Sequence, residues 1–205
     1  MNTFAIQGRC IATPPPTDWR DQLAQRLGAK PRRIGTWAEL GLYGALRCMA
    51  DAGETTLPQD AQIWLGSWRG TYAATAAVLE QLRDDLPMPL AFLQTQPSQL
   101  LALLAAQLEW KGHACFVAGG DPQGLLRLAA PEPRNGGLLL GWVDDVDGGS
   151  TNWLRLRPSA AAAGDLAPLA SDKVFSQGHS LLHIDAMGLR GCLTGQANLG
   201  ESGAG

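Results

Sequence analysis

The sequence has no Cys-x-x-Cys pair, no basic run longer than Arg32-Arg33, and no apolar stretch long enough to span a bilayer. Each absence excludes a class of function. The four cysteines, Cys10, Cys48, Cys115 and Cys192, stand far apart, so a zinc site is not expected. Three of them sit among apolar residues and read as reduced, buried thiols. A net charge of −3 with no compensating Lys/Arg cluster leaves no electrostatic footprint for DNA or RNA. The longest apolar run, Leu100 to Leu108, is interrupted by Gln107 and is too short to cross a membrane. The first ten residues lack the charged-then-apolar order of a signal peptide. The expectation is a soluble, cytoplasmic protein with no metal, no cofactor, no membrane span and no nucleic-acid partner.

A further absence is local. Residues Gly112 to Ala129 read as a short buried strand (Ala114 to Ala118), a two-glycine turn, and a helix starting abruptly at Asp121-Pro122. Tight strand-to-helix turns of this kind hold nucleophiles in several enzyme classes. The turn lifts a side chain out of the sheet, and the helix N-terminus stabilises negative charge. Yet no Cys, Ser or Thr occurs between Phe116 and the end of that helix, and the apex is Asp121. Asp followed by Pro is also a common helix start, with Asp as N-cap and Pro at the first helical position.

What is present is an ordinary globular composition, 45% hydrophobic and 17% charged, over 205 residues. That suits one sizeable domain with or without a loose tail. Thr3 to Ala12 reads as a first strand, with Phe4, Ile6 and Cys10 on one face. Thr13-Pro14-Pro15-Pro16 ends it, and Asp18 to Leu27 forms a short helix stopped by Gly28. Thr36 and Glu39 have the spacing of a capping box for an amphipathic helix that runs to Gly53. Its stripe contains Gly41, Gly44 and Ala45, so something packs closely against it. Ala61 to Gly66 is a strand, followed by Ser67-Trp68-Arg69-Gly70 and an alanine-rich helix from Thr71 to Arg83 suited to close packing. No Lys-Ser or Lys-Thr follows these glycines, which excludes a P-loop. Ser98 caps a leucine-rich helix to Trp110, apolar on nearly all sides and therefore central.

Gly136 to Val143 reads as a buried strand ended by Asp144, Asp145 and Asp147, which read as a solvated strand end. Trp153 to Arg157 reads as a partner or edge strand. Domain boundaries fall at 1–158, a folded domain, and 159–205, an Ala/Gly-rich linker and C-terminal segment with a disordered end. His179 and His183 have the spacing of a metal pair on a helix, but Leu181, Leu182 and Ile184 favour a strand, and no third ligand is evident. Alternating strands and helices give an α/β fold with a mostly parallel mixed sheet and helices on both faces.

The order of several pieces carries a resemblance. They are Arg33-Ile34-Gly35 entering the first long helix, Ile63-Trp64-Leu65-Gly66-Ser67-Trp68-Arg69-Gly70, and the leucine-rich helix feeding Trp110-Lys111-Gly112. The turn with Gly124-Leu125 and the strand Leu138-Leu139-Leu140-Gly141-Trp142-Val143-Asp144 complete the set. Over Phe4 to Asp147 the chain resembles the N-terminal half of the β-ketoacyl synthases, the thiolase-fold condensing enzymes. The resemblance implies a thiolase-like half-fold and puts the family's acylated cysteine at Asp121, with Cys115 inside the strand and not the nucleophile. The family's catalytic histidine motifs are absent.

The chain is thereby similar to non-catalytic chain-length factors of type II polyketide systems, including truncated forms from aryl polyene pathways. The implied partner is an active ketosynthase, with an acyl carrier protein as a further partner. The family closes its dimer by pairing the strand before the turn. The implied interface is therefore His113, Ala114, Cys115, Phe116 and Val117, with Gln94 and Thr95 nearby. Two alternatives remain at this point: a homodimeric scaffold or carrier-protein docking module, and an enzyme using Asp121 as a general acid or base.

Overall fold

A computed structural model describes residues 2–84, 89–131, 135–160, 167–168, 170, 173–175, 179–185 and 188–193. The elements are β1 (Asn2–Ala12), α1 (Trp19–Leu27), α2 (Thr36–Asp51), β2 (Gln62–Ser67), α3 (Tyr72–Arg83), α4 (Pro89–Gln94), α5 (Ser98–Gln107), β3 (His113–Ala118), α6 (Pro122–Ala129), β4 (Leu138–Asp144), β5 (Ser150–Pro158), β6 (Ala167–Pro168), β7 (His179–Asp185) and β8 (Gly188–Leu193). The strands form one sheet in the order β3-β2-β4-β5-β1-β7-β8-β6.

The α/β class and the mixed sheet with helices on both faces stand as read. Among the described residues, however, parallel pairing is confined to β3–β2 and β2–β4, and the other five pairings are antiparallel. The reason is local. After β4, Asp147, Gly148 and Gly149 all take positive φ, and the Gly149 N–H closes on the Val146 carbonyl at 2.9 Å. A turn this tight sends β5 back beside β4, whereas parallel neighbours need a long crossover. Helices stand between β1 and β2, between β2 and β3 and between β3 and β4, and among the described residues no α-helix follows α6.

Two apolar cores flank the sheet. On one face α1, α2 and α5 pack over Ile63, Leu65, Leu139, Val143 and Trp153. On the other, Leu125, Leu126 and Ala129 of α6 cover Leu138, Leu140, Trp142, Leu154 and Leu156, joined by Phe4, Val174 and Phe175. The small residues of α2 have the role their spacing implies. A Cβ on Gly41 would lie 2.3 Å from Leu100 Cδ2, and one on Gly44 would lie 2.1 Å from Thr151 Oγ1. Bare backbone at these positions seats α2 directly on α5 and β5.

Several expectations change. A bulge at Gln7 shifts the β1–β5 register between Ile6 and Gly8. Strand alternation has period two, so one inserted residue swaps faces. Phe4 and Ile6 face α6, while Gly8 and Cys10 face α2. The Thr36–Glu39 capping box does not form: Gly35 is the N-cap, and Arg20 reaches both Glu39 (3.2 Å) and Thr36 Oγ1 (3.4 Å). α5 buries one face, through Leu100 and Leu104, because it covers only one side of the sheet. The alanines of α3 pack against no core; neither α3 nor α4 has a buried residue, and Trp68, Tyr72, Leu79, Leu82 and Phe92 are exposed.

β5 is paired on both sides and is not an edge. Its Trp-Leu-Arg-Leu-Arg alternation places Trp153 and Arg155 under α2, and Leu154 and Leu156 under α6. β7 extends the sheet from β1, pairing Thr3 with His183 and Phe4 with Leu182. Most of the linker read over Ala160 to Gly164, and the final residues 200–205, lie outside the described residues.

Candidate functional site

The three parallel strands end together in two turns. Ser67 closes β2, Ala118 closes β3 and Asp144 closes β4. After β3, Gly119 and Gly120 adopt φ of 76° and 75°, a conformation strained for any side chain, and the Gly119 N–H bonds the Ser67 carbonyl at 2.9 Å. Asp121 then returns to extended backbone, and its Oδ1 accepts the Gly124 N–H at 2.8 Å, with Pro122 at the first helical position. Asp121 is thus the N-cap of α6. Leu125, Leu126 and Ala129 are buried along the inner face of this helix.

The turn after β2 is held by a residue that periodicity could not single out. Asp144 Oδ1 accepts the Ser67 hydroxyl (2.7 Å) and the N–H groups of Trp68 (2.9 Å) and Arg69 (3.2 Å). Its Oδ2 accepts Trp142 Nε1 at 3.0 Å, and Ser67 Oγ in turn accepts the Gly70 N–H at 2.7 Å. Asp144 is therefore no solvated strand end. It is the hub that fixes the Ser67–Gly70 turn, and Ser67 Oγ, with both a donor and an acceptor bond made, is committed to structure. Half-buried Asp145 has its carboxyl pushed up from the ordinary value, first by burial and then by the charge of Asp144. The pairing of Asp144 with Ser67 follows from β2 and β4 being parallel neighbours, a register no local motif reveals.

Among the described residues β3 lies at the end of the sheet and pairs only with β2. The expected buried strand is half-buried: His113 and Ala118 are exposed and the four residues between them intermediate. The reason is its edge position. Ala114 and Phe116 turn toward the α2–α5 core, where the Phe116 ring meets Trp37 edge-on at 5.7 Å. Val117 packs on the α6 side, and the His113 ring lies 5.9 Å from Trp64. Cys115 is a free thiol within the strand, its Sγ 3.9 Å from the Phe116 carbonyl. Thr95 joins this region through Thr71, whose hydroxyl donates to the Thr95 carbonyl at 2.6 Å, beside the Gly70–Phe116 contact. Gln94 packs instead on Gly35, at the start of α2.

His179 and His183 sit on strand β7, not on a helix. His183 Nδ1 lies 2.9 Å from Thr3 Oγ1. Burial first, and then the charge of Arg9, hold the His179 imidazole below its ordinary pKa. Among the described residues no three His, Cys, Asp or Glu side chains form a metal-holding group. Likewise, among the described residues no helix is long and apolar enough to cross a membrane.

Sheet order, two glycines at the turn and a helix capped at its apex belong to an α/β fold of the thiolase-like class. Solved structures of that fold include a chain from the complex of a ketosynthase (ApeO) with its chain length factor (ApeC) from Xenorhabdus doucetiae. The TM-score is 0.53 at 14% identity, over 82% of each chain. The ishigamide ketosynthase/chain length factor gives 0.52 at 15% identity over 71% of this chain. A type II acyl-carrier protein complex with its hexaketide-bound ketosynthase, AntDE:AntF, gives 0.53 at 12% identity over 77% of this chain. The chain spans 48% and 63% of the latter two. No family model matches the sequence, and no curated protein matches it.

Proposed function

We infer that the chain is a non-catalytic ketosynthase-like subunit of the chain-length-factor type, pairing through β3 with an active ketosynthase in the cytoplasm. The observation that carries this reading is the combination at one end of the sheet. An apolar edge strand that has no second neighbour among the described residues leads directly into a two-glycine turn and a helix capped by Asp121, the position to which the resemblance assigns the condensing cysteine. An aspartate cannot form the acyl thioester that a condensing cysteine carries. An unpaired, half-apolar edge strand is a standing liability unless another strand covers it. The fold shared with chains of ketosynthase/chain length factor complexes, and with a complex containing an acyl-carrier protein, supports a ketosynthase partner and a carrier protein that visits the pair. Polyketide chains of the aryl polyene kind are the products this reading favours.

Co-expression with a candidate active ketosynthase from the same genome, followed by size-exclusion chromatography, tests it. The wild-type pair is expected to co-elute as a heterodimer. Cys115→Asp introduces a charge into the middle of the edge strand and is expected to abolish co-elution, while the variant keeps the wild-type melting temperature within a few degrees. Co-elution unaffected by Cys115→Asp would overturn the β3 interface. A stable homodimer that ignores the ketosynthase would favour a self-paired scaffold instead.

A further inference from the structure

Away from the turns, a cleft of about 940 Å³ opens between the second half of β1, α1 and the C-terminal half of α2. Its shape follows from the local sequence. Pro14 and Pro16 wall one end, where prolines fix φ and the chain runs off β1. α1 is seated through its buried Trp19 and Leu23, with the Trp19 ring 5.8 Å from Tyr43. The volume falls in the range of small-molecule sites, roughly 300–1,000 Å³.

The charges of the lining are one-sided. Three arginines, Arg9, Arg26 and Arg47, face one carboxylate, Asp51. Asp51 Oδ2 already accepts the Arg9 backbone N–H at 2.9 Å, and the Arg9 guanidinium donates to the His179 carbonyl. Arg26 and Arg47 have no hydrogen-bond or ion-pair partner among the described residues. In a chain of net charge −3 this is a local reversal of sign. The floor is apolar or neutral: Leu23 and Leu46 are buried, Cys10 is half-buried, and the Tyr43 hydroxyl bonds Gln22 Oε1 at 3.2 Å. Burial pushes the Cys10 thiol up to about 11 and raises the Tyr43 phenol, while Arg47 pulls each back. Both groups therefore stay neutral near pH 7, and the Arg47 charge reaches the floor, opposed at Cys10 by Asp51 and at Tyr43 by Asp18.

We propose that this cleft binds a small organic anion, a carboxylate or phosphate head on an apolar stem. The head is drawn to Arg26 and Arg47, and the stem lies along Leu23, Leu46 and Cys10. The guanidinium fork matches either oxyanion in planar, two-point geometry, and the apolar floor supplies the hydrophobic contact for the stem.

Calorimetric titration of the isolated protein at low salt with octanoate, n-octyl phosphate, inorganic phosphate and octylamine tests the proposal. Octanoate or octyl phosphate is expected to bind at one site per chain, and the tighter of the two identifies the head. The double variant Arg26→Ala/Arg47→Ala is expected to lose at least about tenfold in affinity, the order expected for a lost charge-assisted contact. Arg26→Lys/Arg47→Lys should keep part of the affinity, and Arg32→Ala, outside the cleft, should keep all of it. Thermal melts establish that each variant is folded. Octylamine binding as well as the anions, inorganic phosphate matching octyl phosphate, unchanged affinity in the double alanine variant, or no binding at millimolar ligand would each overturn the proposal. Because the measurement uses no ketosynthase, its outcome is independent of the pairing proposed through β3.

Discussion

Replacing Glu54 by alanine strands a guanidinium in the core. Arg155 is 0% exposed, and its Nε donates to Glu54 Oε2 at 2.7 Å, while Nη1 reaches the carbonyls of Leu138 (3.3 Å) and Leu156 (3.1 Å). Arg157, partly exposed, donates through Nη2 to Glu54 Oε1 at 2.9 Å. Breaking a buried ion pair by removing one partner costs about 3–5 kcal/mol. Glu54 is 22% exposed, which lets water reach the vacated site, so the lower end, about 3 kcal/mol, applies. For a chain of this size that is a fall in melting temperature of about 6–12 °C. Glu54→Gln keeps an acceptor and loses only the charge, so about half that fall is expected. Glu54→Leu/Arg155→Met removes both charges together and should recover most of the loss.

The pH dependence of the same network has a definite sign. Burial alone would raise the Glu54 carboxyl, but hydrogen bonds and charge from Arg155 and Arg157 outweigh it, so its pKa lies below the ordinary 4.5. A depressed carboxyl contributes stability that is full above its unfolded value and is lost as pH falls from about 4.5 through the folded value. Thermal melts from pH 7 to pH 3 should therefore show a steeper loss for wild type than for Glu54→Gln. A Glu54→Ala melt within 2 °C of wild type at pH 7, or identical acid profiles, would refute the reasoning.

Two further changes separate the roles of neighbouring features. Asp121→Ala should cost about 1 kcal/mol by removing the cap of α6, read as a melting-temperature fall of about 2–4 °C. Asp121→Ser should restore most of it, and both variants should still co-elute with the ketosynthase; loss of the complex in the serine variant would show that Asp121 does more than cap. Gly44→Ala places a methyl 2.1 Å from Thr151 Oγ1 and 2.6 Å from Trp153 Cδ1. Overpacking of this kind costs about 1–3 kcal/mol, and urea denaturation showing no loss would mean that α2 can slide on β5.

The turn after β3 was legible because its chemistry is local: two adjacent glycines, then Asp-Pro, specify positive φ and a capped helix within four residues. The stripe of small residues on α2 was legible for the same reason, since helical period alone brings Gly41 and Gly44 to one face. What failed depends on partners far away in sequence. Whether Asp144 is solvated or a hub is decided by Ser67, 77 residues earlier. Arg155 looks like an edge residue until Glu54, 101 residues distant, neutralises it inside the core. The bulge at Gln7 shows only in pairing with β5, and it alone decides which core Cys10 enters. Alanines on α3 are compatible with close packing but do not demand it, and here α3 meets α4 yet buries no residue fully.

The exposed helices and the half-buried edge strand belong to one stretch of surface. Phe116 of β3 reaches the Gly70 turn, Thr71 beside it bonds the Thr95 carbonyl, and from these two points α3 and α4 carry Tyr72, Leu79, Leu82, Phe92 and Leu93 outward. A strand added to β3 would lie about 4.8 Å from it. The layers of that partner would then extend past the edge toward the Ser67–Gly70 turn, which Asp144 holds from inside the sheet. Large apolar groups clustered on one surface ordinarily mark a contact that is completed elsewhere. In the reading proposed above, the rigidity of that turn serves the contact with the partner. On that reading the turn serves to hold an interface in place, and Asp121, as the cap of α6, helps to fix it.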